Sequence, residues 1–253
     1  MREVKVGKHK VVLYNSIEEL PMARFHKYNK MMLVDAGLGS DLNAVDGHIE
    51  RAVAFIRNDR RQEAATELEN MRQAIYLVMQ QVSPRHLSFA VLVKSVDGMT
   101  CDDISDEGLQ RVVDMLADVP VGDMTAEGEA VKKKIDNELN IYFPDVFDNV
   151  MEKEYYDLMK RRTQAMLDAV LNGDTEEQRE VIGRLTDELV MFSKPRSFTG
   201  KESAEVAYDK QYEDMCLTMS QQLHQDPKKY TVMEYYNAYG YIKKQLKRQK
   251  RAK

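Results

Sequence analysis

The chain has 253 residues, enough for one large domain or two small ones, and combines 43% hydrophobic with 31% charged residues, a globular balance. No apolar run approaches the ~20 residues that span a bilayer, and the charged first ten residues lack the apolar stretch of a secretory leader, so a cytoplasmic protein is expected. Two cysteines, Cys101 and Cys216, exclude a disulfide framework and, with five scattered histidines, a structural zinc site.

Only 12 glycines and 6 prolines interrupt the chain, which favours long helices over many short strands. Val4 and Val6 alternate with charged residues, Gly7-Lys8 suits a turn, and Val11 to Tyr14 follow, predicting a small hairpin. Ser16 and Glu19 have capping-box spacing and Pro21 suits a first helical turn. A helix to about Ala36 follows, stopped by Gly37 in a left-handed cap. Ser40 or Asp41 caps the next helix, to about Asn58, with the apolar set Leu42, Val45, Ile49, Val53 and Ile56. A third helix, from about Arg61 to Val82, carries Ala64, Leu68, Met71, Ile75 and Met79. The short Asp59-Arg60 link makes these two an antiparallel pair. Leu68, Met71, Ile75 and Met79 are therefore expected to share a core with Val45, Ile49 and Val53.

Residues 87–93 (LSFAVLV) read equally as a buried strand or a short buried helix. Asp97-Gly98 marks a turn, and Ser105 opens a helix through Leu109, Val112, Val113 and Leu116 to Pro120. The glycine-containing stretch 120–129 is the candidate joint between two lobes. Beyond it, helices are predicted from Thr125 to about Tyr142, from Val146 to about Leu171, from Thr175 to about Phe192, and from Glu202 to about His224. Thr231 and Glu234 have capping-box spacing before the last one. The predicted fold is mainly α, a multi-helix bundle with a small N-terminal β hairpin. Its lobes would be 1–120 and 121–253, or one domain containing both.

Candidate chemistry is sparse. None of His9, His26, His48, His86 and His224 belongs to a Glu-x-x-His or His-Glu-x-x-His pattern. The acidic run Asp97, Asp102, Asp103, Asp106 and Glu107 lacks the register of a calcium loop and reads as a solvated turn. Gly37-Leu38-Gly39-Ser40 precedes a helix, as phosphate-binding loops do, but follows a helix rather than a strand. A helix stop joined to a helix cap explains it. Cys101 and His86 would form a nucleophile and base only if the fold joined them; an inert thiol is the simpler reading. Arg24, Lys27 and Tyr28 share a helix face that would meet phosphate or a partner. The alternative is an ordinary amphipathic helix packing Phe25, Met32 and Leu33 inward. No enzyme, metal or cofactor is expected.

The last helix is the strongest signal. Val232, Tyr235, Tyr239, Ile242 and Leu246 recur at steps of three and four. They run into Lys243, Lys244, Lys247, Arg248, Lys250, Arg251 and Lys253 with no acid among them. The whole chain's −5 becomes −12 once these seven cations are set aside. A helix dipole is complemented by fewer charges. The basic end is a solvated terminus, a surface for an acidic protein partner, or a nucleic-acid contact. The apolar stripe either docks a partner or closes the protein's own core.

The run YNSIEELPMARFHKYNKMMLVDAGLGSDLNAVDGHIERA, Tyr14 to Ala52, resembles segments of virion-associated or assembly proteins of tailed bacteriophages, especially phages of gut Bacteroidales. The shared cues are IEELP leading into RFHKYNK, then DAGLGSDLNAVDGHI. The resemblance implies a helical protein that acts through protein contacts during particle assembly, as a connector component or a tail assembly chaperone. The expected function is therefore a non-enzymatic structural or assembly protein. Its partners would be further copies of the chain or phage particle components. The alternative is a nucleic-acid-associated protein using the basic last helix.

Overall fold

The computed structural model describes residues 1–147, 150–192 and 194–251. Strands β1 (Arg2–Val6) and β2 (His9–Leu13) form the expected hairpin, turned at Gly7, whose φ is 59°. Val4, Val6, Val11 and Leu13 share its buried face while Glu3, Lys5 and Lys10 face solvent. The ambiguous stretch is both helix and strand. Helix α4 (Pro84–Leu92) is capped by Ser83 and passes directly into β3 (Val93–Val96). β3 pairs antiparallel with β2 and turns through Asp97-Gly98 into β4 (Met99–Thr100). Both turn residues have positive φ, 49° and 85°, the signature of a type I′ hairpin turn. The β element is thus a four-stranded antiparallel sheet in the order β1-β2-β3-β4.

The rest is helical: α1 (Met22–Leu38), α2 (Leu42–Arg57), α3 (Arg61–Gln80), α5 (Asp106–Met115), α6 (Val121–Tyr142), α7 (Pro144–Phe147), α8 (Val150–Asn172), α9 (Glu176–Phe192), α10 (Ala204–Leu223) and α11 (Val232–Arg251). Side-chain caps set several starts. Asp41 accepts from the Ala44 amide at 2.8 Å and Ser105 from the Gly108 amide at 3.1 Å. Thr231 and Glu234 make a reciprocal capping box, at 2.8 and 3.3 Å. Several predicted boundaries move: α5 ends at Met115, short of Pro120, and Val146 falls in α7, with α8 described from Val150. Ser16 closes a turn through its carbonyl rather than capping α1, which begins after Pro21. The stop is Gly39, with φ 68° and ψ −178°, a conformation open to glycine, and not Gly37 in a left-handed cap. Gly37 lies inside α1 because the Phe198 ring packs against it; a Cβ there would come 2.1 Å from Phe198 Cζ. Helix α6 starts at Val121, ahead of Thr125, because Pro120 supplies the extended entry.

The main core joins the inner sheet face to α1, α4, α5, α6, α10 and α11. Val6, Leu13, Ile17, Leu92, Leu116, Ile135, Met219 and Val232 all belong to it. Residues on both sides of position 120 are therefore in one apolar cluster. Arg24 is buried at its edge. Its guanidinium donates to the carbonyls of Val91 (2.8 Å), Val93 (3.1 Å) and Cys101, and lies over the Tyr14 ring. It ties the α4–β3 junction to the strand end. Tyr28 is also buried, and Lys27 pairs with Asp106. Arg24, Lys27 and Tyr28 are thereby committed to the fold, and the phosphate-facing reading of this helix gives way to the amphipathic one.

The expected core of the α2–α3 pair is corrected. The helices do pack antiparallel across Asp59-Arg60, but the residues they bury are mostly small or polar: His48, Ala52, Ala54, Ala64, Glu67, Asn70 and Ala74, with Phe55. Ile49 is 45% exposed, Val53 39%, Leu68 46%, Ile75 37% and Met79 74%, while Val45 and Met71 are half-buried. Alanines allow close approach of the helices, and the polar groups are satisfied there. The His48 ring meets Glu67 Oε2 at 2.6 Å and the Leu38 carbonyl at 3.0 Å. Asn70 donates to the Arg196 carbonyl and accepts from the Phe198 amide. A buried polar set paid for in this way leaves the larger apolar stripes on the outside.

Candidate docking surfaces

The α2–α3 hairpin presents one continuous apolar face. His48 and Glu67 meet between the helices. The next residue on each helix is turned by 100°, and in an antiparallel pair those opposite rotations bring Ile49 and Leu68 to the same side. Leu42, Val45, Val53 and Ile56 continue the stripe on α2, and Ile75 and Met79 on α3. The opposite side of the hairpin packs on α9, where Ala54, Phe55, Ala64 and Val190 form a small cluster. The sequence carries a signal for this inversion: Ala64, Glu67, Asn70 and Ala74 have helical spacing, as Leu68, Ile75 and Met79 do. Hydrophobicity alone selects the second set as core.

The last helix is divided. Val232, Tyr235 and Ile242 are buried in the main core, and Tyr239 is half-buried against it. The Val232 and Met233 amides donate to the carbonyls of Leu20 (2.9 Å) and Ile17 (3.0 Å), fixing the start of α11 to the segment before α1. Leu246 is 48% exposed. Lys243 lies over the Tyr239 ring at 5.9 Å, and Lys244, Lys247 and Arg248 are exposed. The side chains of Lys250 and Arg251, and all of Lys253, lie outside the described residues. Between α10 and α11 runs an apolar groove of about 650 Å³, floored by Met215, Met219, Tyr239, Ile242 and Leu246, with Lys210 and Lys243 at its rim.

A smaller, aromatic hollow of about 230 Å³ adjoins this groove, with Tyr208, Tyr212, Tyr235, Tyr236 and His26 around it. The His26 ring stacks on Tyr208 and Tyr212, with centroids 4.6 and 4.0 Å apart. Its Nε2 meets Asp209 Oδ1 at 2.9 Å, and Lys30 holds the other Asp209 oxygen at 2.6 Å. Burial lowers the His26 pKa against the pull of Asp209. Burial likewise drives the hydroxyls of Tyr212, Tyr235 and Tyr236 upward, and Tyr208 up to about 12. The stacked and tilted rings make this a packing cluster between α1, α10 and α11. Sequence reading missed it because its members are separated by nearly the length of the chain.

The remaining candidates take up structural roles. Burial raises the Cys101 thiol, and among the described residues no hydrogen bond joins it to His86. Such a thiol is a poor nucleophile. Asp97 ties its turn to the first hairpin through His9 and the Lys10 amide, and Asp103 bonds the Ser105 amide and Arg111. Among the described residues no group of three His, Cys, Asp or Glu side chains converges as a metal site requires, and no helix is long and apolar enough to cross a membrane. Compared with protein families, curated proteins and solved structures, the chain gives no match.

Proposed function

We propose that this chain is a non-enzymatic structural or assembly protein that works by docking against other protein subunits, and that those subunits belong to a phage particle. The observation that carries the reading is the exposed face of the α2–α3 hairpin. The stripe on α2 runs about 20 Å along the axis, and helices packed 8–10 Å apart make the face of comparable width. At roughly 400 Å², it reaches the size at which an apolar patch on a monomer is commonly functional. The segment Tyr14 to Ala52, which resembles phage assembly proteins, encodes α1 and much of α2, including Leu42, Val45 and Ile49 of this face. The test is co-expression with the products of neighbouring genes, followed by sedimentation of the assembled particles. The unaltered chain should travel with the particle, and Ile49→Asp with Leu68→Asp should remain folded but stay behind. Equal retention of both would reject the reading.

A second reading rests on Lys244, Lys247 and Arg248, exposed cations for which no carboxylate partner is found among the described residues. Contact with nucleic acid through them would show as duplex binding that weakens steeply and log-linearly with salt. Its absence at low salt excludes this alternative.

A further inference from the structure

We propose that copies of this chain associate head to tail, the tip of the α8–α9 hairpin of one copy seating in the α10–α11 groove of the next; the proposal rests on the assembly reading. The tip is apolar and acidic. Met166, Leu167, Val170 and Leu171, at the end of α8, are 44%, 56%, 82% and 78% exposed. Their i, i+1, i+4, i+5 spacing puts them on one side of the helix, the pattern of anchors that enter a groove. Around them stand Asp168, Asp174, Glu176, Glu177 and Glu180, all exposed, and one cation, Arg179, already paired with Asp174 at 2.6 Å. Gly173, with φ 95°, makes the turn that brings the α9 acids beside the α8 anchors.

The groove has the opposite character. Its floor is apolar, and Lys210 and Lys243 line it against one lining carboxylate, Asp214, with Lys247 exposed one turn beyond Lys243. The stretch of α10 that lines it, Ala207 to Met219, is about 18 Å long, room for some three helical turns of an occupant. Charge selects the tip as that occupant. The α2–α3 face is flanked by both signs, with Arg61 paired to Asp59 and Arg72 to Glu69, and Asp46, Glu50 and Arg57 exposed on α2. The α8–α9 tip combines four exposed aliphatic anchors with an excess of acids. Within one copy the two surfaces belong to different packing units: α8 packs on α9 and α9 on α2, whereas α10 and α11 pack on α1. Because tip and groove are different patches, each added copy leaves one of each free, and growth continues until a ring closes or a filament extends.

The test is sedimentation velocity of the full chain across a concentration series, at about 50 mM and about 500 mM salt, since screening weakens such pairing. The unaltered chain should form species beyond dimers at low salt and fewer of them at high salt. A tip variant, Val170→Asp with Leu171→Asp, and a groove variant, Leu246→Asp with Lys247→Glu, change only exposed side chains. Matching circular dichroism and melting would show both folded. Each alone should associate at least about thirtyfold more weakly, as loss of a central anchor does. Mixed one to one they should form dimers and nothing larger, since each supplies the surface the other lacks. A chain that stays monomeric, assemblies unaffected by either variant, or impaired variants that fail to combine would overturn the proposal. Failure here with particle retention through the α2–α3 face intact removes this inference and leaves the assembly reading standing.

Discussion

His9 spans two carboxylates, Nδ1 on Asp97 at 2.7 Å and Nε2 on Asp118 at 2.9 Å, and Lys8 also reaches Asp118, at 2.8 Å. The contacts tie both hairpin turns to the end of α5. Hydrogen bonds to Asp97 and then Asp118 raise the His9 pKa. The Lys10 amide and His9 lower Asp97, and Lys8 and His9 lower Asp118 to about 2. The raised histidine stabilises the fold fully below its unfolded value near 6.5, and that contribution disappears as pH rises through its higher folded value. The lowered carboxylates contribute above about 3.9 and lose that contribution as pH falls through their folded values. His9→Gln should therefore lower the melting temperature most between about pH 4.5 and 6, with the difference narrowing by pH 9. A difference that widens with rising pH would contradict the ion-pair role. Arg24 provides the second test at this scale. Arg24→Leu removes the donor for three buried carbonyls, and a loss of about 2–4 kcal/mol in denaturant unfolding is expected. Neither role was legible in the sequence. His9 lies far along the chain from Asp97 and Asp118, and Arg24 looked like surface charge because its acceptors are backbone atoms, which no residue type announces.

Among the elements, local signals transferred well. Asp41, Ser105 and Thr231 cap the helices their spacing marked, and Gly7-Lys8 and Asp97-Gly98 turn as their residue types require. Caps and turns are decided within a few residues, so sequence contains them. The orientation of α2 and α3 is not decided locally. Both helices carry two faces at helical period, one of large aliphatics and one of alanine with His48, Glu67 and Asn70, and the buried one is chosen by partners elsewhere: the Leu38 carbonyl, Arg196, Phe198 and Val190. This orientation makes a sharp mutational contrast. Ile49→Asp and Leu68→Asp should each change stability by less than about 0.5–1 kcal/mol, as substitutions on an exposed face do. Phe55→Ala, at 1% exposure, should cost about 3–5 kcal/mol. Chemical denaturation of the three variants decides it, and a large loss from Ile49→Asp would return that stripe to the core.

On the scale of the whole molecule, the question is what the last helix holds together. Its stripe was legible in full, but its division into buried and exposed halves was not, because periodicity gives a face and says nothing about where along the helix the neighbour ends. Val232 and Tyr235 are buried against the same cluster as Val6, Leu13 and Leu116, and α11 begins with backbone hydrogen bonds to Ile17 and Leu20. One core shared by the chain's two ends implies a single cooperative unfolding transition, not separate melting of 1–120 and 121–253. Two truncations separate the roles of α11. Among the described residues, ending the chain after Gly240 removes one that is buried, Ile242, and with it about 1.5–3 kcal/mol. That chain should still fold and melt in one transition, at a lower temperature, while losing Ile242, Lys243 and Leu246 from the α10–α11 groove. Ending it after Thr231 also strips Val232 and Tyr235 from the core and exposes the Ile17 and Leu20 carbonyls, and this chain should fail to fold. Calorimetry of both fragments checks the pair. Two resolved transitions in the intact protein, or a folded chain ending at Thr231, would show that the N-terminal half closes its core without the last helix.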